Sequence, residues 1–354
     1  MIIDNEKKLN IFKKKIKKKK YLYLDTEFNR ENTYKATLSF ISIFDGKIYY
    51  ILDALKYKKL VKPLINLISA KSITKILHGS EQDLELIHQF DCELGPIFDN
   101  QIAAAFCGFE RNLSYQNITK IICKKKIDKK LQNINWLKRP VSKKVISYLK
   151  NDTKYLEPTH KYLKKILYKT KKIKYFNEEM DIFKKNATNV LKLSSILKRN
   201  ININILENKQ FKNILMIRNM ISKKKNLPKN WVLSDNDIIK LLNSKNNNIL
   251  KKNTKISKDF KNKIMKNINY LKKIKIRKIR IDNTLIASMN FIRLIIAKKN
   301  KIDENLIATK NEIYNYLAYK KYKSKWRKKI FYNKFEKFLT GNINVKSKNG
   351  IIQI

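Results

Sequence analysis

Asp25 and Glu27 stand two apart in YLYLDTEF, Asp83 lies in ILHGSEQDLELI, and Tyr148 and Asp152 stand four apart in YLKNDTKYL. On a strand, a spacing of two puts both carboxylates on one face of the sheet and Thr26 on the other. On a helix, a spacing of four puts Tyr148 and Asp152 on one face. Asp83 falls early in a helix that follows a strand. Four carboxylates meeting at one point repel each other unless cations neutralise them, and such hard oxygen donors suit Mg²⁺ or Mn²⁺ rather than zinc or copper. Two such ions about 3.5–4 Å apart can run an in-line displacement at phosphorus, with water as the nucleophile and no covalent enzyme intermediate. A phenol can donate or accept, so Tyr148 would orient that water. Taken singly, Asp-x-Glu fits a surface turn, Asp83 a helix N-terminal charge and Tyr148 with Asp152 an exposed helical pair. Their order and their element types together predict a carboxylate cage that hydrolyses phosphodiester bonds.

The elements that must position these residues are readable. Residues 5–20 form a basic helix by pattern. YLYLD (21–25), TLSFISIF (37–44) and KIYYIL (47–52) read as strands, the last two joined at Asp45-Gly46, a strong hairpin signal. A helix near 57–69, a strand at 72–77, a helix at 80–90 and a short strand at 96–99 follow. Helices are expected over 100–107 and 113–123, and a long one from about 142 to 168 carries Tyr148 and Asp152. This is a mixed α/β domain. Beyond about 170 the strand signal vanishes. Residues 206–275 and 284–341 each read as several short helices, with Pro228 ending one helix and Ser234 capping the next. The tail beyond 341 reads as loosely ordered.

Composition sets the bounds. At 354 residues, two or three domains are expected. The 81 Lys+Arg against 29 Asp+Glu leave a net charge of +52, for which phosphate backbones are the natural counterpart. The crowding of Lys, Asn and Ile, with 6 Gly and 5 Pro, is also what an AT-rich genome imposes on any protein, so the charge permits nucleic-acid binding without proving it. Cys92, Cys107 and Cys123 form no C-x-x-C pair and read as reduced thiols in a cytoplasmic protein. His78, His88 and His160 lack zinc-ligand spacing. No apolar run approaches the roughly 20 residues of a membrane span, and the basic start lacks the apolar core of a signal peptide.

The motifs resemble those of the ribonuclease D family, in the tyrosine-type branch of the DEDD superfamily of 3′→5′ exonucleases. DTEFNRENTYKATLSFISI is similar to the family's first motif, ILHGSEQDLELI to its second and YLKNDTKYLEP to its third. IFDNQIAAAFCG (97–108) and IDKKLQNINWLKRPV (127–141) resemble two further family segments. Asn100, Lys130 and Asn135 depart from the family's usual residues. The resemblance implies α/β plus all-α architecture: a ribonuclease-H-like exonuclease domain with a mixed five-stranded sheet at 1–170, a helical linker at 171–205, and two helical HRDC-like modules at 206–283 and 284–354. It implies that Asp25, Glu27, Asp83 and Asp152 ligate two divalent ions, Mg²⁺ or Mn²⁺, with Asp25 bridging, while Tyr148 positions water. It also implies a monomer that trims RNA from the 3′ end, releasing nucleoside 5′-monophosphates, with tRNA precursors bearing single-stranded 3′ tails as substrates.

Several residues near the motifs are open to two readings. Thr26, Phe28, His78, Trp136 and Arg139 are candidates for nucleic-acid contact. His78 either contacts substrate or caps its strand, and Trp136 either stacks on a base or plugs the core beside the long helix. Trp231 and Trp326 are expected in the cores of the helical modules. The lysine runs 13–20 and 123–130 either track phosphates or form a solvated face. Two other functions compete with RNA hydrolysis: a DNA exonuclease on the same cage, and a non-catalytic RNA-binding protein that keeps the fold.

Overall fold

The computed structural model describes residues 1–128, 131–132, 134–189, 191–243, 248–274, 281–348 and 351–353. Lys129 and Lys130, part of the second lysine run and of the 127–141 segment, lie outside them. The chain opens with α1 (Glu6–Ile16), capped by Asn5, whose Oδ1 accepts from Lys8 N at 2.9 Å. Three strands follow: β1 (Tyr21–Asn29), β2 (Thr37–Phe44) and β3 (Tyr49–Asp53). Asp45 Oδ1 accepts from Lys47 N and Ile48 N at 2.8 Å each, and Gly46 takes φ +91°, so the Asp-Gly pair makes the expected turn. Helix α2 (Lys58–Ile68), β4 (Thr74–Leu77), α3 (Glu81–His88), β5 (Ile97–Asp99) and α4 (Asn100–Phe106) complete the α/β framework.

The sheet order is β3-β2-β1-β4-β5. Neighbours are antiparallel from β1 through β3 and parallel from β1 through β5. Seven of the eight residues of β2 are buried, as befits a strand covered on both faces. A bulge between Glu27 and Phe28 bends β1 just after the paired acids.

Helix α5 (Tyr115–Cys123) precedes the segment that carries the third motif. The long helix expected at 142–168 is two helices, α6 (Lys143–Lys154) and α7 (Leu156–Lys169), broken at Tyr155. Pro158 explains the break: it has no N–H for the Lys154 carbonyl, and its ring would clash there in a continuous helix. In the first turn of α7 that missing donor costs nothing. Helix α8 (Ile173–Ala187) packs against α3, α4 and β5, so residues read as linker join the α/β core through Phe176 and Met180.

The remainder is helical, apart from its end. Helices α9 (Ser195–Asn200), α10 (Ile203–Leu206), α11 (Lys209–Lys225), α12 (Lys229–Val232), α13 (Asp235–Asn243), α14 (Asn248–Lys252) and α15 (Lys258–Lys273) bury a core of their own. Helices α16 (Asn283–Asn300), α17 (Glu304–Ile307), α18 (Lys310–Tyr319), α19 (Lys325–Arg327) and α20 (Asn333–Leu339) instead share the α/β core. Trp326 is buried there as expected, but Trp231 is 48% exposed, with Lys255 Nζ 5.6 Å from its ring centre. The tail is more ordered than its composition suggests: β6 (Lys346–Lys348) and β7 (Ile351–Gln353) pair as an antiparallel ribbon. Among the described residues, no helix is long and apolar enough to cross a membrane.

Candidate active site

Strand β1 carries Asp25 and Glu27 on one face, and α6 packs on β1 and β2 so that Tyr148 and Asp152 meet them. Carboxylate oxygens of Asp25, Glu27 and Asp152 all lie within 4.8 Å of one another. The Tyr148 hydroxyl stands beside the Asp152 carboxylate. Asp83 reaches the same cavity from α3, but its carboxylate accepts from the Thr26 hydroxyl and stands outside the tight group of three. Thr26, expected on the opposite face of β1, is buried and holds Asp83 in place.

Burial and mutual repulsion act together on these acids. Burial, then the charges of Asp152, Glu27 and Asp83, push the Asp25 carboxyl well above the usual carboxylate range. Burial first, with Asp152 and Asp83 beside it, pushes Glu27 up to about 9. Burial raises Asp152 to about 7 and Asp83 to about 6, and Tyr148 and Thr26 respectively oppose that rise through their hydrogen bonds. Acids in this state gain from a nearby positive charge. Clustered, oxygen-only and partly screened from water, the donor set fits a divalent cation.

These groups line a cavity of about 690 Å³ whose described lining contains no lysine, although the chain carries 81 Lys+Arg. Its one cationic side chain, Arg30, is paired with Glu85 at 3.1 Å. A phosphate entering here meets acidic rather than ammonium groups, a repulsion that a bound cation would offset.

The other candidates divide. Phe28 and Trp136 line the cavity. The Trp136 indole lies between Phe40, at 6.2 Å between ring centres, and Tyr148, at 5.8 Å, in a small core with Ile51 and Leu149. His78 also lines the cavity; its Nε2 donates to the Leu113 carbonyl at 2.9 Å, which leaves Nδ1 without a partner. Arg139 does not face the cavity. All five of its N–H groups are engaged: with Asp53 at 2.7 and 2.8 Å, with the Trp136 and Lys138 carbonyls at 2.9 Å each, and with Ser39 Oγ at 3.1 Å. The side chain is thus held from within the protein at every donor.

Sequence reasoning passed over other residues. Asp99, fully buried, accepts from the backbone of Gln101 and Ile102 to cap α4, and from Gly79 N, Ser80 N and Ser80 Oγ to hold the loop before α3. Its place before a helical run was the available signal. Tyr115 lines the cavity, donates to the Asn151 carbonyl at 3.0 Å and accepts from Tyr155 N at 3.0 Å, fixing the break beside Asp152. Gln101, Gln116 and Gln132 add neutral amides to the wall, with no spacing that marks them. Asn100 is buried and donates to the Leu156 carbonyl at 3.1 Å, and Asn135 caps its own turn through Leu137 N at 2.9 Å, so two departures from the family pattern have structural work.

Residues 1–168 match a 3′-5′ exonuclease family. Ribonuclease D of Shewanella sp. (strain ANA-3) is 32% identical over 154 residues, covering 43% of this chain and 39% of the relative. Ribonuclease D of Jannaschia sp. (strain CCS1) is 28% identical over 242 residues, 64% of this chain and 60% of the relative. The chain thus spans less than two thirds of either relative's length. The crystal structure of Escherichia coli RNase D, an exoribonuclease involved in structured RNA processing, superposes with a TM-score of 0.73 at 18% identity, over 97% of this chain and 99% of that one. The fold is shared along nearly the whole length.

Proposed function

We propose, from a 3′-5′ exonuclease domain over residues 1–168 and a fold shared with ribonuclease D, that this chain is a metal-dependent 3′→5′ exoribonuclease releasing nucleoside 5′-monophosphates. One observation carries the reading: Asp25, Glu27 and Asp152 converge within 4.8 Å on the wall of an open cavity, beside the Tyr148 hydroxyl. These three carboxylates would hold divalent cations, Mg²⁺ or Mn²⁺ and two in number, with Asp83 close enough to add its charge. When bound, such ions stabilise charge on the phosphoryl and leaving oxygens and make water a nucleophile at neutral pH.

The chain's own residues supply the rest. Burial and the neighbouring acids keep the Tyr148 phenol protonated. The phenol oxygen therefore offers lone pairs with which to accept from, and so aim, the attacking water. Phe28 offers apolar surface to the terminal nucleotides. Thr26 sets the Asp83 carboxylate. RNA with an unpaired 3′ tail, tRNA precursors foremost, is the proposed substrate. The relatives named ribonuclease D support RNA over DNA.

The test is digestion of 3′-labelled and 5′-labelled RNA, and of matched DNA, with Mg²⁺ or Mn²⁺ and with chelator. Single-nucleotide release from the 3′ label, lost on chelation, is the expected result. Asp25→Ala and Asp152→Ala should abolish release while RNA binding persists. Wild-type protein that degrades neither polymer with either ion would overturn the reading, and preference for DNA would redirect it.

A further inference from the structure

We infer that the Arg139–Asp53 ion pair, two strands over from Glu27, is the device that positions Tyr148. The inference rests on the exonuclease reading for its catalytic consequence, though not for its geometry.

Strand register sets the frame. Glu27 pairs with Phe40, and Phe40 pairs with Asp53, so one row across β1, β2 and β3 runs from the cage to the edge strand. Directly paired side chains share a face, at about 5 Å per step between Cβ atoms. Arg139 lies along that row. It grips Asp53 through Nε and Nη2, and its guanidinium sits 4.5 Å from the Phe40 ring centre. Asp53 is itself set by Leu55 N and Lys56 N, at 3.1 and 3.0 Å.

The same guanidinium holds the Trp136 backbone. Nη1 donates to the Trp136 carbonyl at 2.9 Å, Nη2 to Ser39 Oγ at 3.1 Å, and Ser39 Oγ to the same carbonyl at 2.5 Å. No helix or strand is assigned to the described residues between α5 and α6, so ladder bonds do not place Trp136. The ion pair and Ser39 place it, and its indole then walls one side of the Tyr148 ring. The Tyr148 hydroxyl faces Asp152, and Trp136 backs the ring. Arg139 touches no reacting atom and acts through Trp136.

A helper of this kind affects turnover rather than substrate affinity. Arg139→Gln should lower kcat on single-stranded RNA on the order of 10- to 100-fold with KM little changed. Arg139→Lys should restore little, because a single ammonium cannot grip Asp53 at two points and also hold the Trp136 carbonyl. In a double-mutant cycle, Arg139→Gln should add almost nothing to Tyr148→Phe. Independently of activity, 5-fluorotryptophan labelling gives resonances from three tryptophans, assigned by Trp136→Phe. The Trp136 resonance should shift in Arg139→Gln and in the milder Asp53→Asn, with Trp231 and Trp326 unmoved. An unmoved Trp136 resonance in both variants overturns the inference, even if the wild type proves inactive on RNA. So does a kcat loss that multiplies with that of Tyr148→Phe, or an unchanged kcat in an active enzyme. A shifted resonance in a protein without nuclease activity would sustain the positioning geometry while sinking the function it was meant to serve.

Discussion

His160 shows how much a single buried side chain can be made to report. It is 2% exposed, with neither ring nitrogen hydrogen-bonded, and packs edge-on to Tyr21 of β1 and Phe98 of β5, with Tyr23 nearby. Burial first, then Lys164 and Lys161 on its own helix, lower it to about 4. Its usual value is near 6.5. Between those values the unfolded chain binds a proton that the folded chain refuses, so stability falls as pH drops through this window and is unaffected above it. The contribution is on the order of 2–3 kcal/mol. Denaturation midpoints at pH 7, 5.5 and 4.5 should fall steeply for the wild type and less for His160→Phe. At this same scale the five motif residues were legible from type and spacing. The special place of Asp83 was not, because Thr26 reaches it across 57 positions of sequence.

Elements were legible wherever local rules acted alone. The Asp45-Gly46 hairpin formed as read because turn chemistry needs no distant partner. The long third-motif helix did not, because its apolar period runs on through Tyr155 and conceals the break that Pro158 enforces. Asp99 links three elements, capping α4, ending β5 and holding the loop before α3, which carries Asp83. Asp99→Ala leaves several buried donors unmet. It should cost at least about 2 kcal/mol in urea denaturation and lower nuclease activity by loosening Asp83. Loss of stability with full activity would separate α3 from the site.

In the whole molecule the two helical groups attach differently. Helices α16 to α20 share the α/β core, and Arg327 makes a buried bidentate pair with Glu179 of α8 at 2.6 and 2.8 Å. Lys172 adds a strut, donating to the Phe106 and Lys301 carbonyls at 2.7 and 2.8 Å. The core of α9 to α15 stands apart and meets the α/β part through polar contacts such as Tyr34 OH to Asn219 Oδ1 at 2.8 Å. Calorimetry should therefore resolve two unfolding transitions. Glu179→Gln strands a buried guanidinium and should lower only the transition of the shared core, by roughly 3–5 kcal/mol. A single transition that moves as a unit would show the two cores to be coupled.

Sequence by itself marked most elements of the α/β part and the acids and tyrosine of its motifs, because period, spacing and turn chemistry are local. Only the tertiary structure decided that Arg139 spends its five N–H groups within the protein, that Trp231 faces solvent while Trp326 is buried, and that the last helices join the first core. Each of those outcomes depends on which distant groups satisfy a donor or cover an apolar face, and no local pattern encodes the identity of a partner a hundred residues away.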